Sequence, residues 1–322
     1  VSVSLPPVPA LADWPALRRG HSGWRAVAEE ICARHGVSTS ELAPARNGTN
    51  VVFTTAAHVI KLSPPFWESG AAAEWTILAH VEGRLGIATP AVVATGHLEG
   101  WPYLVMTRLP GRILADVWPG LAPPHRRSVA RQVGELLARL HALPTGALAA
   151  HPVLAARWER LTTRTVDDIV AIHRSHGAPE TWLERLPAFV KDLPPLHPAA
   201  FTPVLVNGDV HSWHILLTER TGGWELAGMF DFDDAMLGWR DHDLAGPALF
   251  FLAGQREALT ECLRGYGDSR LLADATLPRR LLASALLNRY WGLDFVLQVG
   301  DPDRRCATFD ELERALFPLA PA

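Results

Sequence analysis

The stretch Val206–Leu217, V-N-G-D-V-H-S-W-H-I-L-L, constrains the fold more than any other. Its apolar flanks, Val204-Leu205-Val206 and Ile215-Leu216-Leu217, read as short strands, so the polar residues between them form a loop with Asp209 pointing outward. Thr221-Gly222-Gly223 then reads as a turn, and Trp224 to Phe232 as a returning strand that delivers Asp231, Asp233 and Asp234 beside the loop. Carboxylates at that density repel one another by several kcal/mol in a partly buried site unless positive charge sits among them. A hard divalent cation that bridges to phosphate oxygens meets that need.

A loop aspartate, a metal ligand five residues later and a second metal-binding aspartate before a Phe form the phosphoryl-transfer plan of protein kinases. Here those positions are Asp209, His214 and Asp231. The sequence resembles the aminoglycoside phosphotransferase family, whose usual loop is His-Gly-Asp-Leu-His-x-x-Asn followed by Ile-Asp-Trp or Val-Asp-Phe. Asn207 stands where that family has His, and His214 where it usually has Asn. The macrolide phosphotransferase branch reads Gly-Asp-Leu-His-Pro-Gly-His at the same spacing, which gives His214 a precedent. Asp241-His242-Asp243-Leu244-Ala245 matches the family's Asp-Leu-Ala segment. The resemblance implies that Asp243 holds the loop through hydrogen bonds and that His211 braces it.

Upstream, Trp24 to His35 carries a helical period ended by Gly36. Leu42 to Arg46, Val51 to Thr55 and Val59 to Leu62 read as three antiparallel strands, the first two joined by Asn47-Gly48-Thr49-Asn50. Lys61 lies between apolar neighbours, and a buried lysine needs a carboxylate. Glu74, in the helical stretch Trp67 to Leu85, is the candidate. A strand lysine paired with a helix glutamate is the kinase device for holding the α- and β-phosphates. Phosphate contact at the turn would rest on the backbone of Gly48, Thr49 and Asn50 and on the Thr49 hydroxyl.

After turn regions at Ala88 to Ala91 and Gly96 to Gly100, Trp101 to Gly111 reads as a strand running into a connector. Met106, Thr107, Arg108 and Leu109 would line a base pocket by backbone contacts. This segment and Trp158 to Leu196 look like the hygromycin phosphotransferase branch. Pro123 to Pro144 is a core helix with Val129, Val133, Leu136, Leu137 and Leu140 on one face, and Leu277 to Val299 reads as another long one. His141, near the end of the first, reads as a buried or capping residue outside the site.

The resemblance implies an α+β, two-lobed protein-kinase-like fold: a small antiparallel β lobe over residues 1–108 and a larger, mainly helical lobe over residues 109–322. It implies transfer of the γ-phosphate of ATP, with GTP as the alternative, to a small-molecule hydroxyl, with Mg2+ or Mn2+ held by His214 and Asp231. Five aspartates between Asp231 and Asp243 favour a cationic acceptor, and the resemblance puts hygromycin-type aminoglycosides first. Asp233, Asp234, Trp239, Trp291 and Asp294 are candidate acceptor contacts. A macrolide or choline-like alcohol is the alternative acceptor, since Trp239, Tyr290, Trp291 and Phe295 could cage a cation. A nucleotide-binding pseudokinase is the rival outside catalysis. A net charge of −4 gives no basic footprint for nucleic acid and no polybasic membrane patch, and no apolar run approaches the ~20 residues of a membrane span. Three dispersed cysteines give no disulfide or zinc pattern, and the expected location is the cytoplasm.

Overall fold

The computed structural model describes residues 4–45, 48–197, 199, 201–288 and 290–319. The chain divides into two compact units, Val1–Gly83 with Ala88–Pro110, and Arg84–Ile87 with Gly111–Ala322.

The first unit is built on an antiparallel sheet of five strands, β1 (Ala43–Pro44), β2 (Val51–Thr54), β3 (His58–Leu62), β4 (Val92–Leu98) and β5 (Trp101–Thr107), in the order β1-β2-β3-β5-β4. Strand alternation separates its two faces. Ile60, Phe53, Trp101, Tyr103 and Val105 point to one side, where helices α1 (Trp14–Gly20) and α2 (Trp24–Arg34) bring Trp14, Trp24, Val27 and Ile31 into a shared core. The rings of Trp14 and Trp24 lie 5.7 and 5.6 Å from that of Trp101. Lys61 alternates with Ile60 and Leu62 and therefore faces the other way, opposite Val52 and Leu104 in the ladder. Helix α3 (Glu68–Val81) packs against β4 and β5.

The glycine expected to begin a turn, Gly96, instead lies within β4. Its cross-strand partner is Tyr103, whose phenol oxygen would sit 2.5 Å from any Cβ there. The ring occupies the space of the missing side chain, and its hydroxyl is 2.9 Å from His35 Nε2. The turn itself is Glu99–Gly100.

The second unit begins with β6 (Arg112–Ile113) and α4 (Leu114–Val117), then α5 (Pro123–His141), which starts on the two prolines and buries Val129, Val133, Leu136, Leu137 and Leu140. Short helices follow: α6 (Gly146–Ala149), α7 (Pro152–Thr162), α8 (Val166–Ser175), α9 (Glu180–Leu183) and α10 (Leu186–Lys191). Strands β7 (Val204–Val206), β8 (Ile215–Arg220), β9 (Gly223–Met229) and β10 (Met236–Gly238) form two small antiparallel sheets, β7 with β10 and β8 with β6 and β9. Helices α11 (Asp241–Phe250), α12 (Arg256–Tyr266), α13 (Arg270–Ala273), α14 (Leu277–Leu287), α15 (Leu293–Gly300) and α16 (Phe309–Leu316) complete it. None of the described helices is long and apolar enough to cross a membrane.

The single helix expected over Leu277–Val299 is two, α14 and α15, with the chain turned at Asn288–Gly292. Asn288 leaves helical φ/ψ, and its side-chain oxygen accepts the Tyr290 N–H at 2.9 Å, a local bond that competes with helix continuation. His173 of α8 fixes both sides of the break. Its Nε2 donates to the Leu286 carbonyl at 2.9 Å, and its Nδ1 accepts the Leu293 N–H at 3.1 Å.

Candidate active site

The loop between β7 and β8 is held from beneath by one buried carboxylate. Asp243, in the first turn of α11, accepts the Asn207 and Gly208 N–H groups at 2.8 Å each. His141 Nε2 donates to the same carboxylate at 3.0 Å, and its Nδ1 is 2.9 Å from the Tyr266 hydroxyl. Burial pushes the Tyr266 phenol up to about 12, so it stays protonated and donates to that nitrogen. His141, read from the sequence as outside the site, therefore braces the brace. Gly208 has φ +83°, and a Cβ there would meet the Asp234 carbonyl at 2.5 Å, so the loop closes on the Asp231–Asp234 turn only through a glycine.

Asn207 is fully engaged and wholly buried. Its amide donates to the Asp231 carbonyl at 2.8 Å and its Oδ1 accepts the Asp209 N–H at 3.0 Å, so one side chain ties the acid of the loop to the acid of the next turn. An asparagine supplies a donor and an acceptor at once, which this bridge requires.

Three of the expected residues converge. His214 Nδ1 donates to the Asp209 carbonyl at 3.0 Å, which leaves Nε2 of the neutral ring as a lone pair facing Asp231 Oδ2 at 3.5 Å. Burial pushes the His214 imidazolium below its usual range, against the opposing pull of the Asp231 carboxylate. Asp231 itself has φ +65°, a left-handed conformation that only Gly, Asn and Asp adopt readily. The returning strand ends at Met229, two residues earlier than that acid. His211 stacks on His214 with ring centroids 3.7 Å apart; its Nδ1 accepts the Trp213 N–H at 3.1 Å, and its Nε2 is 3.5 Å from Asp209 Oδ2. Asp209, His211 and His214 form a cluster with ligand atoms within 4.8 Å of one another, so His211 joins the expected ligands as a residue of metal-binding type.

In the first unit Lys61 Nζ contacts both oxygens of Glu74, at 3.0 and 2.8 Å, and both side chains are almost wholly buried. Gly48 and Thr49 lie in the turn before β2, where the Thr49 carbonyl accepts the Trp14 indole N–H at 2.8 Å and Asn50 is buried; Arg46 and Asn47 lie outside the described residues. Met106 ends the buried run of β5. The Thr107 N–H bonds Ala91 O at 3.0 Å and the Arg108 N–H bonds Ala57 O at 2.8 Å, so those two donors serve the protein.

The candidate acceptor contacts disperse. The Asp233 N–H lies 3.4 Å from Asp231 Oδ1, and the Asp234 carbonyl packs on Gly208, so both belong to the turn beside the loop. Trp239 stacks under Arg240 and lines a cavity of about 470 Å³ with Arg240, Arg270 and Arg280; no residue of the Asp209 loop lines that cavity. Trp291 is 3% exposed, with its indole N–H 3.4 Å from Asp209 Oδ1, and so is closed to the cation cage that its type suggested. Asp294 lies in the first turn of α15, where its charge acts on His173.

Comparison with known proteins shows the fold and the family. Viomycin phosphotransferase of Streptomyces vinaceus is 30% identical over 167 residues, half of this chain, and the chain spans 55% of the length of that relative. Among solved structures, the GDP complex of aminoglycoside 2'-phosphotransferase-IIIa superposes with a TM-score of 0.66 at 18% identity, covering 90% of this chain and 95% of that one. The streptomycin-ATP ternary complex of APH(2")-IIa superposes at 0.56 and 17% identity, covering 91% and 98%. The fold is therefore kinase-like, with a small antiparallel sheet portion and a helical portion. Residues 41–282 match the "Phosphotransferase enzyme family", and the chain belongs to that family.

Proposed function

We propose that the protein transfers the γ-phosphate of ATP or GTP to a hydroxyl of a cationic small molecule, with an aminoglycoside of the hygromycin type as the first candidate. The observation that carries this reading is the Asp209 loop: an aspartate whose main chain is fixed by Asn207 and Asp243, beside a neutral imidazole that faces a second carboxylate. Asp209 orients the acceptor hydroxyl and takes its proton as the oxygen attacks phosphorus. Lys61, held by Glu74, supplies the ammonium for the nucleotide phosphates.

His214 Nε2 and Asp231 Oδ2 fit a divalent cation. The imidazole lone pair and the carboxylate oxygen lie 3.5 Å apart, a donor pair that would suit a first-row ion such as Mn2+ through the nitrogen and either Mn2+ or Mg2+ through the oxygen. When bound, such an ion neutralises charge on the phosphate oxygens. The relatives are named for viomycin and aminoglycosides, and solved neighbours hold GDP with kanamycin and ATP with streptomycin, which supports both parts of the proposal.

The test is phosphate transfer from ATP and from GTP to hygromycin, kanamycin, viomycin, a macrolide and choline, in Mg2+ and in Mn2+. Transfer to one cationic antibiotic above a no-enzyme blank supports the reading. Nucleotide binding with no transfer to any acceptor would make the protein a pseudokinase.

A further inference from the structure

The turned segment Asn288–Gly292 delivers two donors to the Asp209 loop. Asn288 Nδ2 donates to the Gly208 carbonyl at 3.4 Å, and Trp291 Nε1 to Asp209 Oδ1 at the same distance. Both side chains are buried, at 5% and 3% exposure. The indole has little freedom. It packs edge-on against Phe250 with centroids 5.3 Å apart, and its far edge is seated over Gly246, where a Cβ would come within 3.4 Å. Its backbone is set by the Asn288 turn, by the two His173 bonds that fasten α14 and α15, and by the Arg164 guanidinium on the Leu287 carbonyl.

The two oxygens of Asp209 thus meet different neighbours. Oδ1 faces an indole N–H, which donates and can never accept a proton. Oδ2 faces His211 Nε2 at 3.5 Å and His214 Nδ1 at 3.7 Å, on the side of the ligand-type cluster. Contacts of this kind are commonly long before substrate binds and tighten afterwards.

We propose that Trp291 is a positioning residue: its indole N–H pins Oδ1 of Asp209 and so presents Oδ2 to the acceptor hydroxyl. This rests on the assignment of Asp209 as the acceptor-orienting group. The segment Asn288–Gly292 is then part of the transfer machinery, although it lies about eighty residues beyond the loop and carries no motif.

The test is a double-mutant cycle between Trp291→Phe and Asp209→Asn, read as transfer turnover, nucleotide KM and melting temperature. Phenylalanine keeps an aromatic ring beside Phe250 and removes the N–H, and the melting temperature reports the loss of the indole edge over Gly246. With Asp209 present, Trp291→Phe is expected to lower kcat about 10- to 100-fold, the scale of a misplaced reacting group, while nucleotide KM stays within twofold. In the Asp209→Asn background it is expected to have no further effect on the residual turnover, because its action passes through that carboxylate. Equal fold losses in both backgrounds would show a merely structural role and overturn the proposal, as would a kcat within twofold of wild type. If Trp291→Phe melts too low to assay, Trp291→Met, which likewise carries no donor and fills irregular space, replaces it with the same expectations for the cycle. Wild-type turnover in Asp209→Asn alone would overturn the reading of Asp209 and the role of Trp291 together.

Discussion

Glu74 and Asp231 are both carboxylates beside a nitrogenous partner, yet the two units treat them differently. Glu74 is sealed, its side chain 3% exposed, with an ammonium on both oxygens. Asp231 keeps 37% of its side chain exposed, faces a histidine whose cationic form burial disfavours, and sits in left-handed backbone. The first arrangement compensates charge internally, so stability and function are fused there. In the second, the loop is stabilised mainly by backbone bonds to Asp243 and Asn207, and Asp231 contributes its main-chain carbonyl to that bracing. Mutations should therefore divide by unit.

The largest effect is expected at Asp209. Asp209→Asn should lower turnover by about 10²–10⁴-fold while melting within about 2 °C of wild type, because the loop is held through main-chain groups that the change leaves alone. Turnover above half of wild type would break the assignment. Lys61→Ala should instead cost about 3–5 kcal/mol of unfolding free energy and weaken nucleotide use, since it removes the ammonium from both oxygens of a buried carboxylate. Replacing both, Lys61→Met with Glu74→Leu, should recover most of that stability and none of the activity. Denaturant midpoints and nucleotide titrations check this. A Lys61→Ala protein within 1 kcal/mol of wild type would mean that the pair is not sealed in solution.

His173 gives the second unit a compensated interior group of its own, closed by hydrogen bonds to Leu286 and Leu293 with the ring neutral. Burial lowers its pKa from 6.5 to about 4. The folded value lies below the unfolded one, so the unfolded chain takes up this proton first. Its contribution is full above pH 6.5 and is lost as pH falls toward 4, by about 3 kcal/mol in all. The stability difference between wild type and His173→Gln should therefore shrink over that window. Unfolding free energies at pH 7.5, 5.5 and 4 measure it, and a difference that does not change with pH would place the ring in water.

What the sequence disclosed follows the same division. Lys61 and Glu74 were readable because a lysine in an apolar strand demands a carboxylate, and the next helix offered one. Asp209, His214 and Asp231 were readable because loop chemistry is local and the spacing is short. Asn207 was visible only as a departure from a pattern; its use, one donor to Asp231 and one acceptor for Asp209, needs the fold. The break at Asn288–Gly292 was invisible, since the apolar pattern runs through it and half of its cause is His173, more than a hundred residues away. Trp239 and Trp291 illustrate the limit of residue type: two tryptophans of one expected role, of which one faces an arginine-lined cavity and the other the loop acid.

The smallest stability effect is expected at Asp231, and it sharpens the contrast with Glu74 most. At φ +65° an aspartate bears a modest strain, of order 1 kcal/mol, that glycine would relieve. Glycine also gives the unfolded chain more freedom, worth about 0.4–1 kcal/mol in the opposite direction. These offset, and the main-chain carbonyl that accepts from Asn207 survives the change, while the 3.4 Å contact of Asp231 Oδ1 with the Asp233 N–H is lost. Asp231→Gly should therefore unfold within about 1 kcal/mol of wild type, the scale of one long hydrogen bond, while losing transfer, because the carboxylate that faces His214 is gone. Asp231→Val, with a β-branched side chain forced into the same conformation, should lose the same activity and destabilise by about 1–3 kcal/mol. Equilibrium unfolding and turnover on the pair separate backbone from carboxylate. If glycine destabilised as much as valine, the Asp231 side chain would be holding the turn together, and its likeness to Glu74 would outweigh the difference drawn here.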